Sequence, residues 1–225
     1  MNLGVKDAAG LLSVSEKTIY RWIKQEIVPA YKINEQYRFN RAELLEWATS
    51  RRISVPPEAL DEAEASTQPL PTATSALESG GIFYRIDGRK RREVLENVVR
   101  HLRLPDEVDR DYLLKVLIAR ERLASTGVGN GIAIAHPRNP VLLHIQRPTI
   151  TLCFLEEAVD WRALDRQPVN ILFTLVAPTL RIHLHLLSLL GFALRDEEFL
   201  QVLLRAGSRE EIFASLRRFE ERLNA

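Results

Sequence analysis

The chain has 225 residues, 46% of them hydrophobic, enough to bury a core in one large domain or two unequal ones, and a formal net charge of +1. No apolar run approaches the roughly 18 residues that cross a bilayer, and the start MNLGVKDAAGLL has neither the basic head nor the apolar stretch of a secretion signal. Membrane-spanning and secreted classes are therefore not expected and a cytoplasmic protein is, with the single cysteine, Cys153 in TITLCFLE, read as a small buried apolar residue without chemistry.

The charge is informative only once divided. Residues 1–52 hold nine Lys/Arg against six Asp/Glu, residues 53–81 none against five, and the remainder twenty-two against nineteen. Within the first segment, Val5, Ala8, Ala9 and Leu12 share one apolar helix face, SVS interrupts the pattern, and Ser15 is suited to cap a second helix. In that second helix Lys17, Tyr20, Arg21 and Lys24 fall on one face and Ile19, Trp22 and Ile23 on the other. A basic and aromatic face near a helix N-terminus meets the needs of major-groove recognition, where Lys and Arg reach phosphates and guanine edges. The plain alternative is a solvated charged face. VPAYKINEQYRFN then reads as a β-hairpin with a polar turn, and Asn40 with Glu43 as a capping box opening the helix RAELLEWATSRR.

The order helix, turn, helix, hairpin, helix, spelled AAGLLSVSEKTIYRWIKQEIVPAYKINEQYRFNRAELLEW, resembles the excisionase-type, MerR-like winged helix-turn-helix family over nearly all of residues 1–50. The resemblance implies that Ser15, Lys17, Thr18 and Arg21 approach DNA and that Lys32 and Arg38 of the hairpin touch its backbone. Where the family usually has glycines at the hairpin tip, this chain has NEQ, and Glu35 there would repel phosphate. One small module binds DNA weakly, so a homodimer on paired half-sites is expected.

Residues 53–81, rich in Pro, Ala, Ser, Thr and Glu and without aromatics, read as an acidic flexible linker spanning on the order of 30 Å, with room for a short helix around Glu58 to Ala65. Residues 82–225 mix two periods. GRKRREVLENVVRHLRL and RDYLLKVLIARERLA read as amphipathic helices; GIAIA, PTITLCFL and VNILFTLVA as buried strands; and RIHLHLLSLLGFAL, DEEFLQVLLRA and SREEIFASLRRFEERL as further helices. The fold class expected is a layered α/β (α+β) domain, a mixed sheet flanked by helices, behind a small winged helix-turn-helix.

His136 closes the strand GIAIA with Pro137 behind it; Arg120 ends one predicted helix and His183 begins another; Gly127, Gly129 and Gly131 surround the approach. Phosphoryl transfer through histidine needs an exposed ring nitrogen, a cation for the phosphate oxygens, a second donor and closely approaching backbone. Spacing alone leaves Arg120 free to be an ion-pair partner of Glu121 or Glu157, and His183, on a stripe with Leu187, Leu190 and Leu194, free to be a core histidine. His183 and His185 sit two apart on a helix and face apart, so a metal site is not expected, and His101 and His144 read as surface or loop residues.

ARERLASTGVGNGIAIAHPR followed by HLHLLSLLGFALRDEEF resembles the IIA components of the bacterial phosphoenolpyruvate-dependent phosphotransferase system, of the fructose/mannitol and nitrogen-regulatory type, over about residues 82–222. That resemblance implies His136 as phosphoacceptor, Arg120 as phosphate-stabilising arginine, His183 as second active-site histidine, Ser125 and Thr126 lining the same site, and a phosphohistidine carrier protein as donor. The family usually has proline directly before the acceptor histidine, where this chain has Ala135. The expectation is a DNA-binding regulator and phosphoryl carrier, not a turnover enzyme, needing no cofactor, with DNA and the carrier as partners. Two alternatives stay open: a carrier passing phosphate to a sugar-transport IIB component, and a non-phosphorylated IIA fold used for interaction or dimerisation.

Overall fold

The computed structural model describes residues 2–25, 27–33, 36–51, 53, 69–106, 108–138 and 145–223. The chain divides into two compact units, Met1–Pro69 and Leu70–Ala225. The expected helix at Glu58 to Ala65, Glu35 at the hairpin tip and His144 lie outside the described residues.

The first unit runs β1 (Asn2–Leu3), α1 (Val5–Leu11), α2 (Glu16–Lys24), β2 (Tyr31–Ile33), β3 (Gln36–Asn40) and α3 (Arg41–Ser50). Ala8, Ala9 and Leu12 are buried with Ile19, Phe39, Leu44 and Leu45, so the apolar face read from the first helix is the one that packs. SVS breaks the helix because Ser13 takes φ 51°, a left-handed conformation that reverses the chain. Ser15 Oγ then accepts the Thr18 amide at 3.2 Å and caps α2. Replacing Ser15 by Ala leaves that amide without its partner and is expected to lower the stability of this unit by about 1 kcal/mol, read from its thermal midpoint. Trp22 and Trp47 meet edge to face at 5.1 Å between ring centres, tying α2 to α3. The hairpin forms in the register Tyr31 opposite Arg38, and β1, which the sequence reading omits, pairs antiparallel on the other side of β3. The Asn40 side chain is outside the described atoms, and Glu43 accepts a hydrogen bond from Tyr31 Oη at 2.6 Å.

The second unit runs α4 (Ala73–Gly80), β4 (Ile82–Ile86), α5 (Arg91–His101), α6 (Arg110–Leu123), β5 (Gly127–Gly129), β6 (Ile132–Ala135), β7 (Thr149–Val159), β8 (Val169–Val176), α7 (Leu180–Ala193), α8 (Glu197–Leu204) and α9 (Arg209–Leu223). The five strands order as β4-β7-β8-β6-β5, parallel between β4 and β7 and between β6 and β8, antiparallel elsewhere. Alternation along the strands makes two cores. Ile150, Leu152 and Phe154 of β7 with Ile171, Phe173 and Leu175 of β8 pack against α4, α7, α8 and α9. Cys153, Leu155, Leu172 and Val176 pack against α5, α6 and Trp161 on the opposite face. This is the mixed sheet flanked by helices that the sequence patterns imply.

Residues 70–81 correct the linker boundary. They are not tether but part of the second unit, and α4 lies on the sheet with Ala73, Ala76 and Leu77 in the core. The small residues that make the segment read as solvated are those that let a helix lie close: a methyl on Gly80 would run into the Ile150 carbonyl and come within 2.8 Å of Thr151 Oγ1. The start of α4 is capped partly from afar, by Thr72 Oγ1 on the Ser75 amide and by Glu220 on the Ala73 and Thr74 amides. No local pattern could have announced the second of these.

Candidate functional site

His136 follows β6 directly, and a tight turn precedes that strand. Asn130 and Gly131, with φ 54° and 71°, form the two-residue turn joining β5 to β6, the left-handed pair that asparagine and glycine adopt most readily. Ala135 pairs with Thr174 of β8, so strand pairing holds the residue directly before His136. The Ile134 amide, on the other edge of β6, donates to Thr126 O at 3.0 Å.

The ring of His136 is oriented by two contacts whose chemistry assigns its proton. Nδ1 lies 2.8 Å from Ile134 O, and a carbonyl can only accept, so Nδ1 carries the hydrogen. Nε2 keeps its lone pair, and Arg120 Nε donates to it at 3.2 Å. Arg120 Nη1 also donates to Ala124 O at 2.9 Å, which closes the end of α6 and steadies the guanidinium. His183, in the first full turn of α7 behind its Thr179 cap, places its ring centre 5.3 Å from that of His136. The three residues expected to act together are therefore together: an imidazole with its hydrogen on Nδ1, a guanidinium on its other nitrogen and a second imidazole beside it. Such a group can take up an anionic electrophile.

One expectation fails in this state. The His136 ring is not exposed; the residue is 4% accessible, and His183 is 1%. The half-buried Arg120 side chain lies on the ring nitrogen that a donor would have to reach.

Ser125 and Thr126 adjoin the site, but their hydroxyls are engaged elsewhere. Ser125 Oγ donates to Trp161 O at 2.7 Å and accepts from the Gly127 amide. Thr126 Oγ1 donates to Glu121 Oε2 at 2.5 Å and accepts from Trp161 Nε1 at 3.1 Å. Glu121 is turned to Thr126 and to Arg91, and Glu157 lies 3.6 Å from Arg89, so the acidic neighbours considered for Arg120 each have another cation. Sequence reasoning missed Glu121 and Trp161 as parts of this site. The only sequence signal was an isolated Trp in a polar loop.

His185 faces away from His183, with Nε2 2.9 Å from Pro71 O, and burial lowers its pKa below the usual histidine value despite that bond. His101 is exposed at the end of α5, with Nδ1 2.7 Å from Asn97 O. Among the described residues no three His, Cys, Asp or Glu gather to hold a metal. Burial pushes the Cys153 thiol up to about 12.

In the first unit Lys17, Tyr20, Arg21 and Lys24 are exposed along α2, as the helix periodicity requires. Tyr20 leans edge-on against Tyr37 at 6.5 Å. Ser15 and Thr18 share a hydroxyl contact of 3.0 Å at the start of the helix. Arg38 is half-buried and donates to Gln36 Oε1, so it is less free than a backbone-gripping wing residue would be. The Lys32 side chain is outside the described atoms. No helix among the described residues is long and apolar enough to cross a membrane.

Two families match this chain. Residues 75–218 match phosphoenolpyruvate-dependent sugar phosphotransferase system, EIIA 2, and residues 3–52 match a helix-turn-helix domain. A protein named nitrogen regulatory protein from Pseudomonas aeruginosa is 38% identical over 112 residues, 49% of this chain and 70% of that protein. One of the same name from Escherichia coli is 32% identical over 139 residues, 57% of this chain and 79% of the relative. The crystal structure of nitrogen regulatory protein IIA-Ntr from Neisseria meningitidis superposes with a TM-score of 0.52 at 26% identity, covering 60% of this chain and 92% of that one.

Proposed function

The chain belongs to the phosphoenolpyruvate-dependent sugar phosphotransferase system EIIA 2 family and carries a helix-turn-helix domain ahead of it, and from that premise we propose a DNA-binding regulator that accepts a phosphoryl group on His136 Nε2 from a phosphohistidine carrier protein. One observation carries this function: the His136 proton sits on Nδ1, leaving Nε2 as the nucleophile beside Arg120 and His183.

The step balances without a cofactor. Arg120 leaves the Nε2 lone pair for the phosphate oxygens as the donor docks. Nε2 attacks phosphorus, the bond from phosphorus to the donor imidazole breaks, and its electron pair returns to the donor nitrogen. Positive charge developing on the His136 ring is met by the Ile134 carbonyl through Nδ1–H, while Arg120, His183 and the amide end of α7 meet the phosphate charge. A phosphorylated residue brings about 1.5 to 2 negative charges at neutral pH. Names of the relatives, nitrogen regulatory protein, support regulation over sugar transport.

Retention of promoter DNA, measured with the protein before and after phosphoryl loading, tests the coupling, which is absent if the two forms bind alike. In the same assay Lys17→Ala and Arg21→Ala are expected to weaken binding. A residue that meets a phosphate flattens the salt dependence by about one unit of slope, and one that reads a base costs about 1 to 3 kcal/mol on its preferred site. Sedimentation of the free and DNA-bound protein tests the proposed pairing on two half-sites, which a monomer bound tightly to a single half-site would refute.

A further inference from the structure

Beyond the residues that would touch phosphate, a buried carboxylate ties the arginine's helix to the histidine's strand. Glu121 directly follows Arg120 on α6 and is only 6% exposed. Its carboxylate accepts the Thr126 amide at 3.2 Å with each oxygen, and the Thr126 hydroxyl with Oε2. Arg91 Nη1, from α5, stands 3.6 Å from Oε1. On the far side, Thr126 O receives the amide of Ile134, the residue whose own carbonyl holds His136 Nδ1. The Trp161 indole N–H donates to Thr126 Oγ1 and the Trp161 carbonyl accepts from Ser125.

This directional chain leaves little freedom. Because Thr126 Oγ1 accepts from the indole, its own hydrogen goes to Glu121, and a carboxylate, having no hydrogen to give, suits the amide, the hydroxyl and the guanidinium at once. We propose that Glu121 is a positioning residue for phosphoryl acceptance: it holds Thr126, and through it β6, at the spacing from α6 at which Arg120 Nε meets His136 Nε2. This rests on His136 being the acceptor. Misplacing a reacting group by about 1 Å can cost on the order of 100-fold in rate, so the effect falls on turnover and leaves the affinity for the donor alone.

Glu121→Gln is the test, because the amide keeps the shape but presents a hydrogen where Thr126 needs an acceptor. Thr126→Val is the second variant, cutting the same chain at its middle without adding bulk. In the full-length protein, phosphoryl transfer from the phosphorylated carrier is expected to lose about 10- to 100-fold in kcat with KM within about twofold. In an Arg120→Ala background the same Glu121→Gln change is expected to cost less than about threefold further, since there is no guanidinium left to position. Equal losses in both backgrounds, a change in KM alone or wild-type rates in both variants would overturn the proposal. Nitrogen-15 spectra of unphosphorylated protein read the geometry separately. A protected Arg120 Nε–H resonance in wild type, lost in Glu121→Gln and Thr126→Val, supports the positioning role even if His136 takes no phosphate. Its persistence in both variants overturns the role whatever the transfer assay gives.

Discussion

His136→Gln is expected to abolish acid-labile phosphate uptake from a phosphorylated carrier, with the unfolding midpoint close to that of wild type. Glutamine can fill the space but offers no nucleophilic ring nitrogen, and no nearby group replaces it. The His183 ring centre lies 5.3 Å away, but His183 is carried on α7 and not at the end of β6, where Arg120 Nε meets His136 Nε2. Arg120→Ala is expected to retain uptake at a rate lower by roughly 100- to 1,000-fold, the scale on which a single preorganised donor to a developing anion acts. The measurement is incorporation of labelled phosphate with phosphoenolpyruvate, the first relay enzyme and the carrier. Undiminished labelling of His136→Gln would move the acceptor elsewhere; no labelling of wild type would leave the family fold serving as an interaction module.

The second large effect is on stability and tests where the C-terminal unit begins. Leu77→Ala is expected to lower its unfolding free energy by about 2 to 5 kcal/mol, because Leu77 is buried in the cluster formed by α4, the sheet, α7 and α9 and leaves a cavity there. In a flexible tether the same change would cost nothing measurable. Gly80→Ala is expected to destabilise by about 1 to 3 kcal/mol for the opposite reason, since the added methyl meets backbone of β7 that cannot yield. Both are read from denaturant midpoints of the full chain, with the transition of the second unit followed through Trp161, buried in the opposite core. Midpoints unchanged in both variants would return residues 73–80 to the tether.

What was legible in the sequence follows from periodicity and from local chemistry. The face of α2 could be assigned because Lys17, Tyr20, Arg21 and Lys24 recur at helical spacing against Ile19, and the long helices α6, α7 and α9 because their apolar stripes run for several turns. Short elements escaped. β4 is five residues at the sheet edge with Tyr84 and Arg85 exposed, so it shows too little alternation. β5 is three residues, though the Asn130–Gly131 pair was the available sign of a hairpin.

By itself the amino-acid sequence determined that two basic units flank an acidic stretch, that one reads as a DNA-facing helix pair and the other as alternating strands and helices, and that a histidine ends a strand. These depend on neighbours within a few residues, whose spacing is written in the chain. Only the tertiary structure decided that α4 belongs to the core, capped by Glu220 from the far end, and that Glu121, Thr126 and Trp161 brace the site. It also decided that the His136 proton rests on Nδ1 with Nε2 toward Arg120. Each of these needs groups far apart in the chain to meet in a space from which water is excluded, where an unpaired polar atom is costly and so a particular partner must be found.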